Sequence, residues 1–434
     1  MPMTRIAFYL DTDAVHRMDI SDVDAGNPGM GGSEYLFFLI AKHLAERMEV
    51  HFYATRLGAY PDGVAYHEVK DFADAVRQFQ ENGEKWVILR EGDAYAHAQL
   101  VREAPQQFVA WAHNYSNYKR LRFCERTANV VRYLCVSREQ YENLRDEAVF
   151  PKCDYVFNTA VAAAYPCDLG AVPGNAVFYM GSVIPIKGFH VLAAQWQAIR
   201  RAVPDATLHI VGSGQLYDRN IPMGPLGIAT AAYERRFARY IASGGVLRED
   251  VIFHGALGAG KHELLRQAKV AVVNPTGLSE TFCLSALEFE LLGVPVVTKD
   301  LGGPRNVVQD GRTGILYRKE SQLGASVVRL LRDEGLRAAM SRNAVAHGRT
   351  FDIAVIVRDW ERLIRDLEAG APAPCDYRIT EPDRLKGAKE LNRKLKALPG
   401  LGWLPSVDRY LHILRKKQHS LFVKPWQRLM GYGD

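Results

Sequence analysis

The chain of 434 residues is longer than one ordinary hydrophobic core accommodates, and its length suits two domains with an extension. Hydrophobic residues make up 48% of the sequence and charged residues 24%, which excludes an intrinsically disordered protein. The formal net charge of +6 is concentrated near the C-terminus: residues 376–434 contain 13 Lys and Arg against 6 Asp and Glu, and the rest contains 42 against 43. Such a basic segment favours an anionic partner, for which a membrane surface, a lipid phosphate and a nucleic acid are the candidates.

The sequence shows no targeting or membrane-spanning segment. Its first ten residues are typical of a strand rather than of a signal peptide, and no apolar run reaches the roughly 20 residues that a membrane span needs. The six cysteines are scattered without a CxxC pair, which predicts neither a zinc site nor a disulfide framework. We therefore expect a cytoplasmic protein.

The first half alternates short apolar runs with amphipathic segments, a pattern typical of a parallel sheet covered by helices on both faces. The clearest helical pattern covers residues 33–48. The predicted strands are residues 5–10, 49–54, 86–90, 108–113, 132–137 and 155–158.

A looser stretch with prolines and glycines, residues 160–175, separates this pattern from a second α/β series. Its predicted strands are residues 176–181, 207–211, 251–254, 270–274, 294–298 and 314–317, with helices at 261–268 and 282–292 and a last helix at 351–367. We predict an α/β protein with two Rossmann-like domains that face each other across a cleft. The predicted domains are residues 1–165 and 166–350, followed by a helix that crosses back to the first domain, 351–369, and a basic extension, 370–434.

One loop carries the strongest functional signal. An apolar run ends at Asn274, a glycine-containing loop follows, and a helical pattern begins near Phe282. The N–H groups and the positive dipole end at a helix start form an anion site suited to phosphate. Glu280 and Glu288 then provide carboxylates for neutral hydroxyl groups, such as those of a sugar or a ribose. Glu280 also suits an ordinary charge at a helix start, whereas an apolar helix should not bury an idle Glu288.

Two further positions suit a phosphate. Lys187, followed by Gly188 and a helical pattern, is a good point charge for phosphate, and its alternative interpretation is an exposed surface lysine. Gly31 and Gly32 precede a helix in the first half and allow backbone amides to approach a ligand closely. The alternative for this pair is a plain turn in which Ser33 caps the helix.

Other residues at predicted strand ends suit a sugar or a nucleotide. His113 ends a predicted strand and could donate a hydrogen bond to a sugar hydroxyl, or it could be satisfied at the domain rim. Gly181, Gly212 and Gly214 follow strands, where they either form tight turns or leave room for a nucleotide.

These motifs resemble the C-terminal domain of family 4 retaining glycosyltransferases, which have the two-domain GT-B fold. The resemblance extends from about residue 5 to residue 367 and is stronger in the second half. It is carried by the E-x7-E motif from Glu280 to Glu288 and by residues 178–181, 187–189, 208–214, 292–297, 302–304 and 311–314.

The resemblance implies a role for each matched residue. Glu288 would hold the ribose hydroxyls of a nucleotide-sugar donor, Glu280 would contact the transferred sugar near the reacting carbon, and Lys187 would grip the diphosphate. The family often has a histidine near the donor sugar, at the place of His113. Further candidates for contact with the donor are Thr281 and Phe282 beside Glu280, together with Gly31, Gly32, Gly181, Gly212 and Gly214.

The sequence departs from the family pattern at three places, one of which is the loop around Glu280, where Thr281 and Cys283 stand in place of the family's glycines. Ser182 stands where the family commonly has an arginine, and Arg305 is a candidate to contact the diphosphate in its place. Asn306 stands where the family usually has an acid.

The expected reaction is transfer of a sugar, with retention at the anomeric carbon, to a hydroxyl of a saccharide or a lipid-linked saccharide, as in polysaccharide or O-antigen assembly. No protein nucleophile is recognisable, so catalysis would depend on positioning and on charge stabilisation. No Asp-x-Asp stands where a metal–diphosphate bridge would be expected, so we predict a metal-independent enzyme without a cofactor. The alternatives are a sugar-nucleotide 2-epimerase of the same fold and a non-catalytic protein that binds a nucleotide sugar or a partner enzyme.

The basic extension has two interpretations. It either forms an interfacial helix on an anionic membrane, which would make the protein peripheral at the inner face of the cytoplasmic membrane, or packs on the first domain. Binding to nucleic acid is not expected, because no nucleic-acid module is recognisable. The pattern consists of Val407, Tyr410, Leu411 and Leu414 on one helical face, Arg415, Lys416 and Lys417 beside them, and the aromatic residues Trp403, Phe422 and Trp426.

Overall fold

The first half of the chain forms a seven-stranded, wholly parallel sheet. The computed structural model describes residues 5–170, 172–216, 220–380 and 385–418. The strand order of the first sheet is β3-β2-β1-β4-β5-β6-β7. Its strands are β1 (Arg5–Leu10), β2 (Glu49–Ala54), β3 (Ala65–Glu68), β4 (Trp86–Arg90), β5 (Gln107–Ala112), β6 (Val130–Cys135) and β7 (Cys153–Tyr155).

Helices cover this sheet because its central strands are apolar on both faces. In β5, for example, every residue after Gln107 is buried. The helices of the first half are α1 (Gly32–Ala45), α2 (Phe72–Glu81), α3 (Glu91–Ala96), α4 (Ala98–Glu103), α5 (Tyr118–Arg126) and α6 (Arg138–Asn143).

The second half repeats the architecture with a six-stranded parallel sheet of order β12-β9-β8-β13-β14-β15 and a separate antiparallel hairpin, β10–β11. The strands are β8 (Asn175–Met180), β9 (Ala206–Val211), β10 (Ala242–Ser243), β11 (Val246–Leu247), β12 (Val251–Gly255), β13 (Val270–Val272), β14 (Val296–Lys299) and β15 (Gly314–Tyr317). The helices are α7 (Phe189–Ala202), α8 (Ala231–Ile241), α9 (His262–Leu265), α10 (Leu284–Leu291), α11 (Pro304–Val307), α12 (Leu323–Arg332) and α13 (Glu334–Gly348).

The last long helix, α14 (Ile353–Glu368), packs on α1 of the first half. Its Trp360 is fully buried, with its ring centroid 4.7 Å from that of Trp111 on β5 and 6.4 Å from that of Phe8 on β1. The chain therefore returns to the first sheet after completing the second.

Two helices of the extension follow, α15 (Lys386–Lys396) and α16 (Val407–Gln418). The extension packs on the first half around α6: Asp376 N donates to the Tyr141 hydroxyl at 2.7 Å, and Thr380 donates to the Glu142 carboxylate. Phe422 and Trp426, two of the predicted aromatic anchors, lie outside the described residues.

Both sheets have the strand order of doubly wound folds, in which ligands bind beyond the carboxyl ends of the strands where the order reverses. That point lies between β1 and β4 in the first sheet and between β8 and β13 in the second. The loops that follow these four strands therefore belong to the expected ligand site.

Candidate functional site

A cavity of about 660 Å³ lies between the two halves. The first half contributes the start of α1, the segment after β4 and the end of β5. The second half contributes the loops after β8, β9 and β13 and the start of α10. Residues from the carboxyl ends of both sheets thus meet at one site, as the doubly wound order requires.

Glu280 and Lys187 form an ion pair in this cavity. Lys187 Nζ lies 2.6 Å from Glu280 Oε2, and Asn274 Nδ2 donates to the same oxygen at 3.2 Å. Both side chains of the ion pair are largely buried, so the pair is weakly screened by solvent. Lys187 is held where it is because Gly188 adopts a left-handed conformation, φ 79°, that turns the chain into α7.

Glu288 forms a second ion pair, on α10. Lys261 Nζ lies 2.8 Å from Glu288 Oε1, and the Tyr165 hydroxyl donates to that oxygen, also at 2.8 Å. The Glu288 carboxylate is mostly buried and lines the cavity, so it is not an idle charge in an apolar helix. Its second oxygen is the one that a ligand hydroxyl could use.

The loop between Asn274 and Cys283 is held in an unusual backbone conformation. Asn274, Ser279 and Cys283 have φ angles of 38°, 53° and 81°, in the region that favours glycine. Because Cys283 is in this conformation, α10 begins at Leu284, and the predicted helix start near Phe282 was two residues too early. Non-glycine residues in such conformations concentrate at functional sites.

Thr281 and Phe282 line the cavity in this loop and also join the two halves. The Thr281 hydroxyl donates to the backbone oxygen of His113 at 2.6 Å. The Phe282 side chain is buried against Phe157 and Phe351, so it anchors the loop on the interior side.

His113 follows β5 directly and lines the cavity. Its ring centroid lies 4.3 Å from that of Trp111, and burial lowers the pKa of His113 to about 3. The imidazole is therefore neutral near pH 7. Within the described part of the chain, its buried Nε2 atom has no hydrogen-bond partner. A buried nitrogen in that state is available to a ligand hydroxyl.

Most of the predicted glycines lie at the cavity. Gly31 is the N-cap of α1, and the alternative in which Ser33 caps this helix is wrong, because the Ser33 hydroxyl donates to Glu34 instead. Gly32 packs on Leu284, so the N-termini of α1 and α10 lie close together. Gly181 and Gly212 also line the cavity, and a Cβ atom at Gly212 would overlap the backbone oxygen of Gly181.

Two predicted site residues are not among those that line the cavity. Gly214 packs on Ala229 and Ile228. The Arg305 guanidinium is bound to Asp300, with Nε 2.8 Å from Oδ1 and Nη2 2.8 Å from the backbone oxygen. Arg305 thus gives no support to a contact with the diphosphate in place of an arginine at position 182. Ser182 itself is buried and donates to the backbone oxygen of Ser213.

Several charged residues of the cavity were not predicted. Lys261 is one, and the others come from the first half: Arg90 is paired with Glu34 at 2.8 Å, and Arg120 lies 3.4 Å from Glu91. Burial raises the pKa of Glu91, and within the described residues its Oε1 atom has no hydrogen-bond partner. Arg90 ends β4 and Glu91 follows it, so the rule that ligands bind at strand ends would have indicated them.

The described part of the chain contains no group of three or more His, Cys, Asp or Glu side chains that could hold a metal ion. Likewise, none of the described helices is long and apolar enough to cross a membrane. Metal independence remains a prediction.

Comparison with known sequences finds a family model that matches the second half. Residues 174–333 match the family model described as glycosyl transferases group 1. The D-inositol 3-phosphate glycosyltransferase of Acidothermus cellulolyticus is 32% identical over 183 residues, which cover 42% of this chain and 38% of that protein. Its counterpart in Salinispora tropica is 29% identical over 202 residues, covering 45% and 37%. The matched segment spans about two fifths of the length of these curated relatives.

Solved structures resemble the whole two-sheet architecture. Anabaena HepE in complex with UDP-glucose matches with a TM-score of 0.63 and 17% identity, covering 85% of this chain and 100% of that one. Sucrose-phosphate synthase from Thermosynechococcus elongatus matches with a TM-score of 0.65, 17% identity and the same coverage. These likenesses confirm the predicted GT-B fold with its two Rossmann-like domains.

Proposed function

We propose that this protein transfers a sugar from a nucleotide-sugar donor to a hydroxyl of a saccharide or lipid-linked saccharide, because residues 174–333 match the family model described as glycosyl transferases group 1. The observation that carries the proposal is the presence of two ion pairs, Lys187–Glu280 and Lys261–Glu288, in a cavity at the carboxyl ends of both sheets. Two ammonium groups and two carboxylates suit a ligand that combines a diphosphate with sugar hydroxyls.

The donor occupies the second-half side of the cavity in this proposal. The Lys187 ammonium and the backbone N–H groups at the start of α10 neutralise the diphosphate. Glu288 accepts hydrogen bonds from the ribose hydroxyls through the oxygen that Tyr165 and Lys261 do not bind. The Anabaena relative in fold was crystallised with UDP-glucose, which supports a nucleotide sugar as the class of donor.

The transferred sugar lies between Glu280 and His113. A neutral His113 can donate a hydrogen bond from its ring to a sugar hydroxyl, and Glu280 lies next to the cation that holds the leaving diphosphate. The acceptor hydroxyl attacks the anomeric carbon from the same side as the departing diphosphate, so the anomeric configuration is retained. The protein contributes positioning and charge stabilisation, without a covalent intermediate.

The acceptor enters from the first half, where Arg90, Glu91 and Arg120 line the cavity. Charges of both signs suit a polyhydroxylated molecule. The curated relatives are glycosyltransferases that act on D-inositol 3-phosphate, so a saccharide and a polyol phosphate both deserve trial as acceptors.

Our first prediction concerns Glu288. A true donor among UDP-, GDP-, ADP- and TDP-sugars should raise the melting temperature, because a ligand at 100 times its Kd stabilises the folded state by about 2.7 kcal/mol. Glu288→Gln should weaken binding of that donor roughly tenfold or more, since hydrogen bonds to a charged group are worth about 1.5–3 kcal/mol. Differential scanning fluorimetry and calorimetric titration measure both effects.

Glu320→Gln is the matched control, because Glu320 is exposed in a short 3₁₀ turn away from the cavity. Unchanged donor affinity and unchanged product formation in Glu288→Gln would contradict the proposed site. An altered sugar nucleotide formed without any acceptor would favour the epimerase, and binding without any product would favour a non-catalytic protein.

A further inference from the structure

In the two helices of the extension several polar residues face the protein, which is the reverse of an ordinary surface helix. Lys389 on α15 is only 1% exposed. Its ammonium donates to the backbone and side-chain oxygens of Asn143, at 3.0 and 3.1 Å, and pairs with Asp408 at 2.6 Å. A buried lysine with three oxygen partners is a specific anchor rather than an incidental contact.

Asp146 of the first half provides the second anchor. Its Oδ2 atom accepts from Asn392 on α15 at 2.9 Å and from the backbone N–H of Val407, at the start of α16, at 2.7 Å. Lys396 donates to the backbone oxygen of Asp146, and the Arg409 guanidinium lies 3.2 Å from the ring centroid of Tyr118 on α5. Polar and charged groups therefore orient both helices on the first half.

Several large apolar side chains of the extension are exposed to solvent, on the side away from the first half. Trp403, between the two helices, is 75% exposed, and Leu391 on α15 is 59% exposed. We call the exposed set the outer apolar face; it consists of Leu391, Leu395, Leu398, Trp403, Tyr410, Ile413 and Leu414. Large apolar side chains that are exposed on two helices in contact with each other mark an interaction surface.

The charge around the outer apolar face indicates its partner. Lys386 and Lys394 are exposed on α15, and Arg415, Lys416 and Lys417 follow in the sequence. Residues 376–434 have seven more basic than acidic residues, whereas the rest of the chain has one fewer. Apolar and aromatic side chains flanked by lysines match the headgroup region of an anionic bilayer, where hydrocarbon is buried and ammonium groups meet phosphates.

We propose that the outer apolar face docks on the surface of a bilayer that contains anionic lipid. Trp403, Leu391, Leu395 and Leu398 enter the headgroup region, and Lys386 and Lys394 contact lipid phosphates. The first half stays in water, because Lys389 and Asp146 hold the helices from the opposite side. This proposal does not depend on the proposed sugar transfer, since lipid binding is measured without donor or acceptor.

Co-sedimentation of the full chain with vesicles tests the proposal. The protein should sediment with phosphatidylcholine vesicles that contain phosphatidylglycerol, and much less with phosphatidylcholine alone. Each basic residue near an anionic surface strengthens binding about fivefold, so Lys386→Gln with Lys394→Gln should weaken it about 25-fold. Joint replacement of Leu391, Leu395, Leu398 and Trp403 by Gln should abolish binding, and the melting temperature should persist because all four side chains are exposed.

Matched controls lie elsewhere on the molecule. Lys70→Gln with Lys319→Gln removes two exposed lysines, of which Lys70 lies beside the opposite edge strand of the first sheet. Leu57→Gln with Val246→Gln removes two exposed apolar side chains. Both controls should bind vesicles like the original chain.

Three results would overturn the proposal. Equal sedimentation with neutral and anionic vesicles, or with neither, would remove the anionic bilayer as the partner. Self-association that the leucine and tryptophan replacements abolish, in the absence of lipid binding, would assign the face to a second copy of the chain. Binding of nucleic acid in place of vesicles would assign the basic charge to a different partner.

Discussion

Cys283 shows how much one backbone angle matters in this protein. Its φ of 81° costs an L-residue free energy, yet the residue directly precedes α10 at the wall of the cavity. Burial raises the pKa of its thiol to about 12, so the sulfur is protonated near pH 7. Cys283 thus shapes the loop and does not serve as a nucleophile.

We predict that glycine is tolerated better than alanine at position 283. Cys283→Gly should be more stable than Cys283→Ala by roughly 1 kcal/mol, because alanine keeps the left-handed strain and glycine removes it. Urea denaturation of both variants measures the difference. At Cys153, where φ is −77°, the alanine variant should be more stable than the glycine variant. If glycine were the more stable replacement at both positions, the backbone angle would not be the cause of the difference.

Residue types predicted part of the site. The residues predicted correctly to line the cavity are Glu280, Glu288, Lys187 and His113. They were predictable because a strand end followed by a loop is recognisable from the local sequence pattern. Their partners were not predictable: Tyr165 reaches Glu288 from a distant part of the chain, and tertiary packing alone brings them together. Arg305 was proposed as a substitute for the arginine that is missing at position 182, and its pairing with Asp300 lies outside what a sequence pattern contains.

Neighbouring strands create a titratable pair in the second sheet. His209 on β9 and His254 on β12 have Nδ1 and Nε2 atoms 3.0 Å apart, and the His209 ring stacks on Phe178 with centroids 4.4 Å apart. Burial lowers the pKa of both histidines, and the neighbouring His254 charge contributes to lowering that of His209, to about 4. Both rings are therefore neutral in the folded protein near pH 7.

This pair predicts a loss of stability in acid. In the unfolded chain a histidine has a pKa of about 6.5, so between that pH and about 4 the unfolded state binds more protons than the folded state. The free energy of unfolding should fall as the pH is lowered through this window. In His254→Gln, the fall between pH 8 and pH 5 should be smaller by about 1 kcal/mol, a value reduced for partial solvation. Urea midpoints at the two pH values measure it, and an equally steep fall in the variant would contradict the explanation.

Strands were predictable from the sequence where burial makes them apolar on both faces. β1, β2, β4 and β15 have the predicted bounds, because each is a short apolar run between polar loops. β3 was missed, since an edge strand of four residues with polar side chains gives little pattern. The β10–β11 hairpin was missed because each of its strands has only two residues.

Hydrogen bonds between described residues join the two halves across the cavity. They include the Thr281 hydroxyl to the backbone oxygen of His113, at 2.6 Å, and the backbone N–H of Glu139 to Asn306 Oδ1, at 3.0 Å. An interface with such contacts permits the two halves to open and close relative to each other.

We predict that Thr281→Val shifts the molecule towards an open form. Valine keeps the shape and removes the hydroxyl, so one hydrogen bond worth about 1 kcal/mol is lost and the open population should rise about fivefold. Small-angle X-ray scattering without ligand should show a larger radius of gyration. Thr350→Val is the control, because the Thr350 hydroxyl donates to His347 of the preceding helix turn. Identical scattering from the two variants would show that the bond does not hold the halves together.

The arrangement of the whole molecule was predictable where the chain repeats itself. Two α/β series in succession predicted two Rossmann-like domains, and the structural relatives confirm that fold. The placement of the extension was not predictable, because helical periodicity identifies an apolar face without showing whether it points inwards or outwards. In α15 the buried side carries Lys389, which reverses the usual expectation.

The two ion pairs of the cavity make it selective before any ligand arrives. An inorganic anion that captured Lys187 and Lys261 would deprive Glu280 and Glu288 of their ammonium partners, and a half-buried carboxylate without a cation is costly. We therefore expect inorganic phosphate to bind weakly in the cavity, although two lysines and two helix N-termini would otherwise attract it. We expect a molecule that carries hydroxyl groups beside its negative charge to bind better, because its hydroxyls would replace the ammonium partners that Glu280 and Glu288 lose.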